Sequence, residues 1–308
     1  MTNNNSAKFA FFYMLSLVAL IFMALSSGMI IFQVINKYII DILDQYNGMF
    51  SQETLKFAIS ALVISAPIYY LTAWQIQKSL FNGSLGKDSG VRRWLTYFIL
   101  FVSSVVMIGW LIATINSFLD GELTTKFILK SLTAILISGV IFSFYLYEIK
   151  REEIVQKKDK VVRAYFTATL ILIIACFVTS LLIVESPTQT RNRKMDNNII
   201  SSLSQIESEV NNYYAKNKKL PQNFEELKKN SEYLTADIFQ DKATGKMYEY
   251  KITGTKAYEL CADFITSNKE DKSNLNDYWG NMWKHEAGRQ CFKKDISVMD
   301  DGSPVLLK

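Results

Sequence analysis

Five long apolar runs separated by polar loops occupy the first 185 residues, and the pattern changes abruptly after them. Phe9 to Phe32 is a stretch of 24 residues without a charge. Phe57–Trp74, Trp94–Leu119, Phe127–Tyr147 and Ala164–Val184 follow. A bilayer core of ~30 Å needs about 20 helical residues, so each run predicts one membrane-spanning helix. The first is too long for the apolar core of a cleaved signal peptide and reads as a retained span. Pro67, midway along the second, removes a backbone hydrogen bond and predicts a kink. The link Asp120-Gly121-Glu122 is short enough to make spans three and four an antiparallel hairpin. Ser26-Ser27-Gly28 and the pairs Ala134/Ser138 and Gly139/Ser143 predict close helix contacts.

Beyond Val184 the chain is polar throughout. Ser186 to Thr190 reads as a linker and Asp196 as a helix N-cap. Ile199, Leu203, Ile206, Val210 and Tyr213/Tyr214 recur at steps of three and four, one apolar stripe on a long helix that Leu220-Pro221 ends. Asn223 caps a short helix, Phe224 to Lys229. Tyr248, Tyr250 and Ile252 alternate, Gly254 supplies a turn, and Tyr258, Leu260, Ala262 and Phe264 form the facing set of a hairpin. Thr266 to Asn276 reads as a polar loop and Ser303 to Lys308 as a frayed tail. Trp279, Trp283 and Phe292 are core or docking candidates. The expected fold is a five-helix membrane part followed by a small α+β domain, a long helix packed on a short antiparallel sheet. The expected divisions are 1–150, a basic segment with the fifth helix over 151–185, and 186–308.

Charge orients this arrangement. The overall +5 divides into 15 Lys/Arg against 11 Asp/Glu over residues 1–185, and 19 against 18 over residues 186–308. The polar part accumulates no basic face, so nucleic acid is not an expected partner. Lys78, Lys87, Arg92 and Arg93 sit in the second loop. Lys150, Arg151, Lys157, Lys158, Lys160 and Arg163 sit in the fourth. Asp41, Asp44 and Glu53 lead the first, and Asp120 and Glu122 the third. Basic loops stay in the cytoplasm, which places the N-terminus inside and the C-terminal domain outside; Arg191, Arg193 and Lys194 pull the other way but are outnumbered. The segment Lys150 to Arg163 reads as a solvated helix whose lysines either set topology alone or also meet anionic lipid.

Candidate chemistry is sparse. No ionisable group lies deep in the five runs, where one would mark an ion or proton path. The single histidine, His285, excludes haem held by a His pair. Cys176 reads as a small apolar residue, and Pro67 and Asn116 as a possible hinge or cavity. Cys261 and Cys291, 30 residues apart, are a disulfide candidate in an oxidising exterior, at about 3–4 kcal/mol in the chain-entropy model. A Cys291–His285 nucleophile pair lacks an orienting third residue. Structural zinc needs more ligands than two Cys and one His, and Asp263, Glu270, Asp271 and Asp277 lack the spacing of a calcium loop. No catalytic, cofactor-binding or metal-binding residue is assigned.

Two resemblances add to this reading. Val91-Arg92-Arg93-Trp94-Leu95-Thr96-Tyr97, Gly121 to Lys130, and Tyr145-Leu146-Tyr147-Glu148 resemble the four-span bacterial membrane family named domain of unknown function 5671, over roughly residues 8–150. This implies a fold and a membrane location. The order of helix, Leu220-Pro221, a Thr244-Gly245 turn, then Tyr248-Glu249-Tyr250 and Tyr258-Glu259-Leu260-Cys261 strands is similar to the extracytoplasmic domain of type II secretion pseudopilins and type IV pilins, over about residues 195–264. The chain departs from pilins in having no cleaved leader and no glutamate early in the preceding apolar span. The expectation is a non-enzymatic, multi-pass cell-membrane protein that displays a pilin-like domain for binding or envelope assembly. Its expected partners are the lipid bilayer and envelope, pilus or secretion proteins. The alternative is a channel or transporter for an uncharged solute with the ectodomain as a lid.

Overall fold

The computed structural model describes residues 4–39, 49–82, 90–151, 159–231, 235–269 and 282–296. Asp41, Asp44, Lys87, Lys157, Lys158, Leu234, Glu270, Asp271, Asp277, Trp279 and the 303–308 tail lie outside these residues. The chain divides into two compact units, Met1–Val184 and Glu185–Lys308.

The first unit holds five helices long and apolar enough to cross a membrane. They are α1 (Asn4–Tyr38), α2 (Gln52–Phe81), α3 (Gly90–Leu119), α4 (Thr125–Lys150) and α5 (Lys160–Ile183). Hydroxyl and carboxylate caps start three of them: Ser51 accepts from the Thr54 amide, Thr124 from that of Phe127, and Asp159 from those of Val161 and Val162. Gly121 turns the α3–α4 hairpin at φ 73°, a conformation that favours glycine. Helix α1 packs against each of the other four. The buried faces are narrow, Ala19, Leu20, Met23 and Ile30 of α1 against Leu55, Ala58 and Leu62 of α2. The outward faces are as apolar as the core, with Leu71, Phe101 and Leu182 exposed. Such a surface suits hydrocarbon, where helices satisfy their own backbone groups. Span five, given its own division over 151–185 from sequence, falls within this unit.

In the second unit, α6 runs from Pro187 to Asn217. It begins nine residues before the expected cap because Ser186 and Gln189 form a capping box with Pro187 at the first position. Pro187 to Thr190 is therefore helix rather than linker, with Ser186 as its cap, and Asp196 lies within the helix with another role. The stripe from Ile199 to Tyr214 is buried against a three-stranded antiparallel sheet. Its strands are β1 (Glu249–Ile252), β2 (Ala257–Phe264) and β3 (Gly288–Asp295), in the order β1-β2-β3. Tyr250 pairs with Leu260 and Ile252 with Tyr258, so the two alternating sets expected for the hairpin do lie on one face. Helix α7 (Phe224–Lys229) and a 3-10 turn at Ala236–Phe239 close one side, with Phe224 stacked on Phe239 at 4.8 Å. Strand β3 is an addition to the sequence reading, in which Phe292 is a core or docking candidate without a strand around it; Phe292 packs against the core. The strand pairs with β2 along its whole length, and Trp283 just before it is 1% exposed.

Candidate functional site

Charge converges at one end of the helical unit, where α1, α3 and α5 begin and α2 and α4 end. Arg92 in the first turn of α3 and Glu148 in the last turn of α4 are both buried. The Arg92 guanidinium donates to the Glu148 carbonyl at 3.0 Å and to its carboxylate at 3.1 Å. Gln77 of α2 donates to the same carboxylate oxygen at 3.4 Å. Arg151 donates to the other at 3.2 Å, and its Nε lies 3.5 Å from Asp159. The Tyr147 hydroxyl donates to Asp159 at 2.8 Å while the second Asp159 oxygen caps α5. Two cations and two anions thus form a neutral chain linking four helices, with the Tyr13 hydroxyl of α1 beside it but in no hydrogen bond of good geometry. Burial raises the pKa of the Asp159 carboxyl, but Tyr147, the two amides and Arg151 outweigh it and hold the group below its ordinary range.

The sequence pattern places Arg92 in the second loop, and the structure corrects this: Arg92 lies in the first turn of α3 and is buried, although it and Glu148 stand at helix ends and not deep in the spans. Helix α3 starts four residues before Trp94, and α4 runs on past Tyr147, so two charges two residues or fewer beyond the apolar runs turn inward together. A cavity of about 40 Å³ lies over this pair, lined also by Ser16, Thr96 and Tyr145. Deeper along the bundle, a cleft of about 310 Å³ opens between α1, α4 and α5. Tyr69, Phe144, Tyr145 and Phe166 border both spaces. The Tyr70 hydroxyl reaches Thr169 at 3.0 Å and fastens α5 to α2.

Pro67 and Asn116, singled out as hinge or cavity candidates, are exposed on the outer faces of α2 and α3. Neither lines the cleft or the polar cavity.

In the second unit, Cys261 and Cys291 are register partners on β2 and β3, with Cα atoms 4.1 Å apart and sulfurs at bonding distance. They lie on the sheet face opposite the one that Leu260 and Phe264 turn to the core. The core side holds a polar assembly that the sequence did not announce. Asp196 is 1% exposed and accepts from the Ile265 amide at 2.8 Å, the Thr266 amide at 2.7 Å and the Thr266 hydroxyl at 2.5 Å. The helix is thereby fastened to the end of β2. Lys294 of β3 is buried, 3.1 Å from Glu207 of α6 and 3.9 Å above the Trp283 ring. Asp263 pairs with Lys246 on the surface.

His285 is also buried, stacked at 3.8 Å on Phe264, and Asn268 clamps its backbone: the His285 amide donates to Asn268 at 2.8 Å. The sheet therefore separates His285 from Cys291, and the couple weighed from sequence is not assembled. Desolvation depresses the imidazole pKa. An unfolded histidine titrates at about 6.5, so below that pH the unfolded chain binds the proton first and stability falls as pH falls. His285→Gln is expected to reduce the drop in melting temperature between pH 7.5 and 5.0. Tryptophan-fluorescence melts of the full chain read this, and a variant with the whole wild-type drop would reject the assignment. The surface carboxylates Glu249 and Glu286, held low by Arg289 and Lys269, act in the same direction, so the difference between variant and wild type carries the test.

No curated protein and no solved structure matches the chain. Residues 10–145 match the family model described as a domain of unknown function, DUF5671, a stretch that covers α1 to α4 up to three residues before Glu148.

Proposed function

We propose that this chain is a non-enzymatic integral membrane protein that displays a pilin-like domain outside the cell for binding or envelope assembly. The observation that carries this reading is the second unit: one long helix whose apolar stripe packs on an antiparallel β1-β2-β3 meander, with a cysteine pair at disulfide distance across β2 and β3. That order of elements is the one that resembles pseudopilins and pilins, and a disulfide persists in an oxidising exterior. Five apolar helices with basic loops at the α1 N-terminal end support a cytoplasmic N-terminus and an outward C-terminal domain.

Protease added to intact cells is expected to remove the second unit and leave the helical unit protected, and Cys261 and Cys291 are expected to resist thiol reagents until reduced. A C-terminal domain cut only in inverted vesicles would overturn the orientation. The alternative reading, a channel or transporter for an uncharged solute with the ectodomain as a lid, draws on the polar cavity beside Arg92 and Glu148. At about 40 Å³ it has room for one or two waters, which favours the first reading.

A further inference from the structure

The cleft between α4 and α5 is built from three facing helical stripes. Its α5 residues fall at steps of three and four, from Tyr165 and Phe166 through Thr169 to Ile173 and Cys176. Helix α4 contributes the same spacing from Thr133 to Tyr145, and α1 forms the floor from Leu20 to Ile31. Helices α4 and α5 meet at one end, where Phe144 packs on Tyr165 and Phe166 at 5.4 and 5.9 Å. Beyond that aromatic cluster they do not pack closely on each other. The lips of the opening carry Leu136 and Leu172, 58% and 59% exposed, so the cleft faces sideways.

Its chemistry defines the occupant. The hydroxyls that line it are spent inside the protein: Ser27 on the Met23 carbonyl at 2.6 Å, Thr133 on Leu129 at 2.7 Å, Thr169 on Tyr165 at 2.8 Å. Tyr165 donates to Ser143 at 3.2 Å. A guest is therefore asked for no hydrogen bonds, as suits a hydrocarbon chain. From Tyr165 to Cys176 the groove extends roughly 17 Å at 1.5 Å per residue, close to half of the ~30 Å hydrocarbon core. That is the depth of one leaflet. At the aromatic end, level with the headgroups, Lys150, Lys160 and Arg163 are exposed, whereas Glu148 and Asp159 are engaged with arginines.

We propose that this cleft holds one acyl chain of an anionic phospholipid, with the headgroup over Lys150, Lys160 and Arg163. The proposal rests on the membrane reading of the helical unit, while lipid retention is measured without regard to which leaflet is cytoplasmic.

The test is native mass spectrometry of the full chain released from nanodiscs of equal phosphatidylglycerol and phosphatidylcholine. One retained phosphatidylglycerol per chain is expected. Lys160→Gln with Arg163→Gln removes two charges near the headgroup and should lower the preference for phosphatidylglycerol by roughly twenty-five-fold, at about a factor of five for each surface charge. Ile173→Trp, which fills the groove, should abolish retention of either lipid; Leu172→Trp at the lip serves if that variant misfolds. Wild-type chain that retains no lipid, or both lipids equally, overturns the proposal. So does a Cys176–Cys176 cross-link under mild oxidation, which would place a second copy against the groove.

Discussion

Asp196→Ala is expected to destabilise the second unit by about 3–5 kcal/mol, because it leaves a buried cluster of donors without their charged acceptor. The carboxylate takes three hydrogen bonds from Ile265 and Thr266, on a segment 69 and 70 residues away in sequence. Hydrogen bonds to a charged group contribute about 1.5–3 kcal/mol each, and orphaned buried amides add their own cost. Small domains have only about 5–15 kcal/mol in total, so the variant should sit near its unfolding threshold. Urea unfolding followed by tryptophan fluorescence measures the change, and Trp283 lies in this core. Asp196→Asn keeps one acceptor oxygen and should recover part of the loss. A change below about 1 kcal/mol in Asp196→Ala would show that the contact does not anchor the helix.

Arg92→Met should be nearly as costly in the helical unit. It removes a cation from a site where the Glu148 side chain is 7% exposed and leaves a carboxylate facing apolar helix surfaces. Breaking a buried pair from one side typically costs about 3–5 kcal/mol, whereas replacing both partners by apolar groups is often close to neutral. The double variant Arg92→Met/Glu148→Met is therefore expected to be more stable than Arg92→Met alone. Arg151 shares the Glu148 carboxylate and moderates the effect. Loss of helix on titration with sodium dodecyl sulfate, read by circular dichroism in a double-mutant cycle, gives the coupling. Strictly additive effects would reject the pair as a unit.

The family match and the packed unit have different limits. The match stops at residue 145, while Glu148, Arg151 and Asp159 carry the charge chain onward to α5. Phe166 then stacks beside Tyr69, and Thr169 accepts from Tyr70. Through these contacts the fifth helix joins the unit, packed on α1 and α2 and tied to the end of α4, although its own composition reads only as another apolar run.

Local pattern determined the five long helices, the apolar stripe of α6 and the facing apolar sets of the β1–β2 hairpin. Each is legible because burial repeats with the period of the element itself, every three to four residues on a helix and every two on a strand. Tertiary structure alone decided the rest. Strand β3 has the sequence Arg-Gln-Cys-Phe-Lys-Lys-Asp after Gly288 and shows little alternation; its partner β2 makes it a strand, and Glu207 with Trp283 makes a buried place for Lys294. Asp196 reads as a cap because Asp favours that position, Arg92 reads as a loop charge because it falls just outside an apolar run, and Glu148 carries no periodic sign of the partner it meets. Their partners stand 69, 56 and 87 residues away for Asp196–Ile265, Arg92–Glu148 and Glu207–Lys294. A buried charge is stable only where its counter-charge or donors are brought to it, and that pairing is a property of the folded chain, with no periodic trace in the sequence.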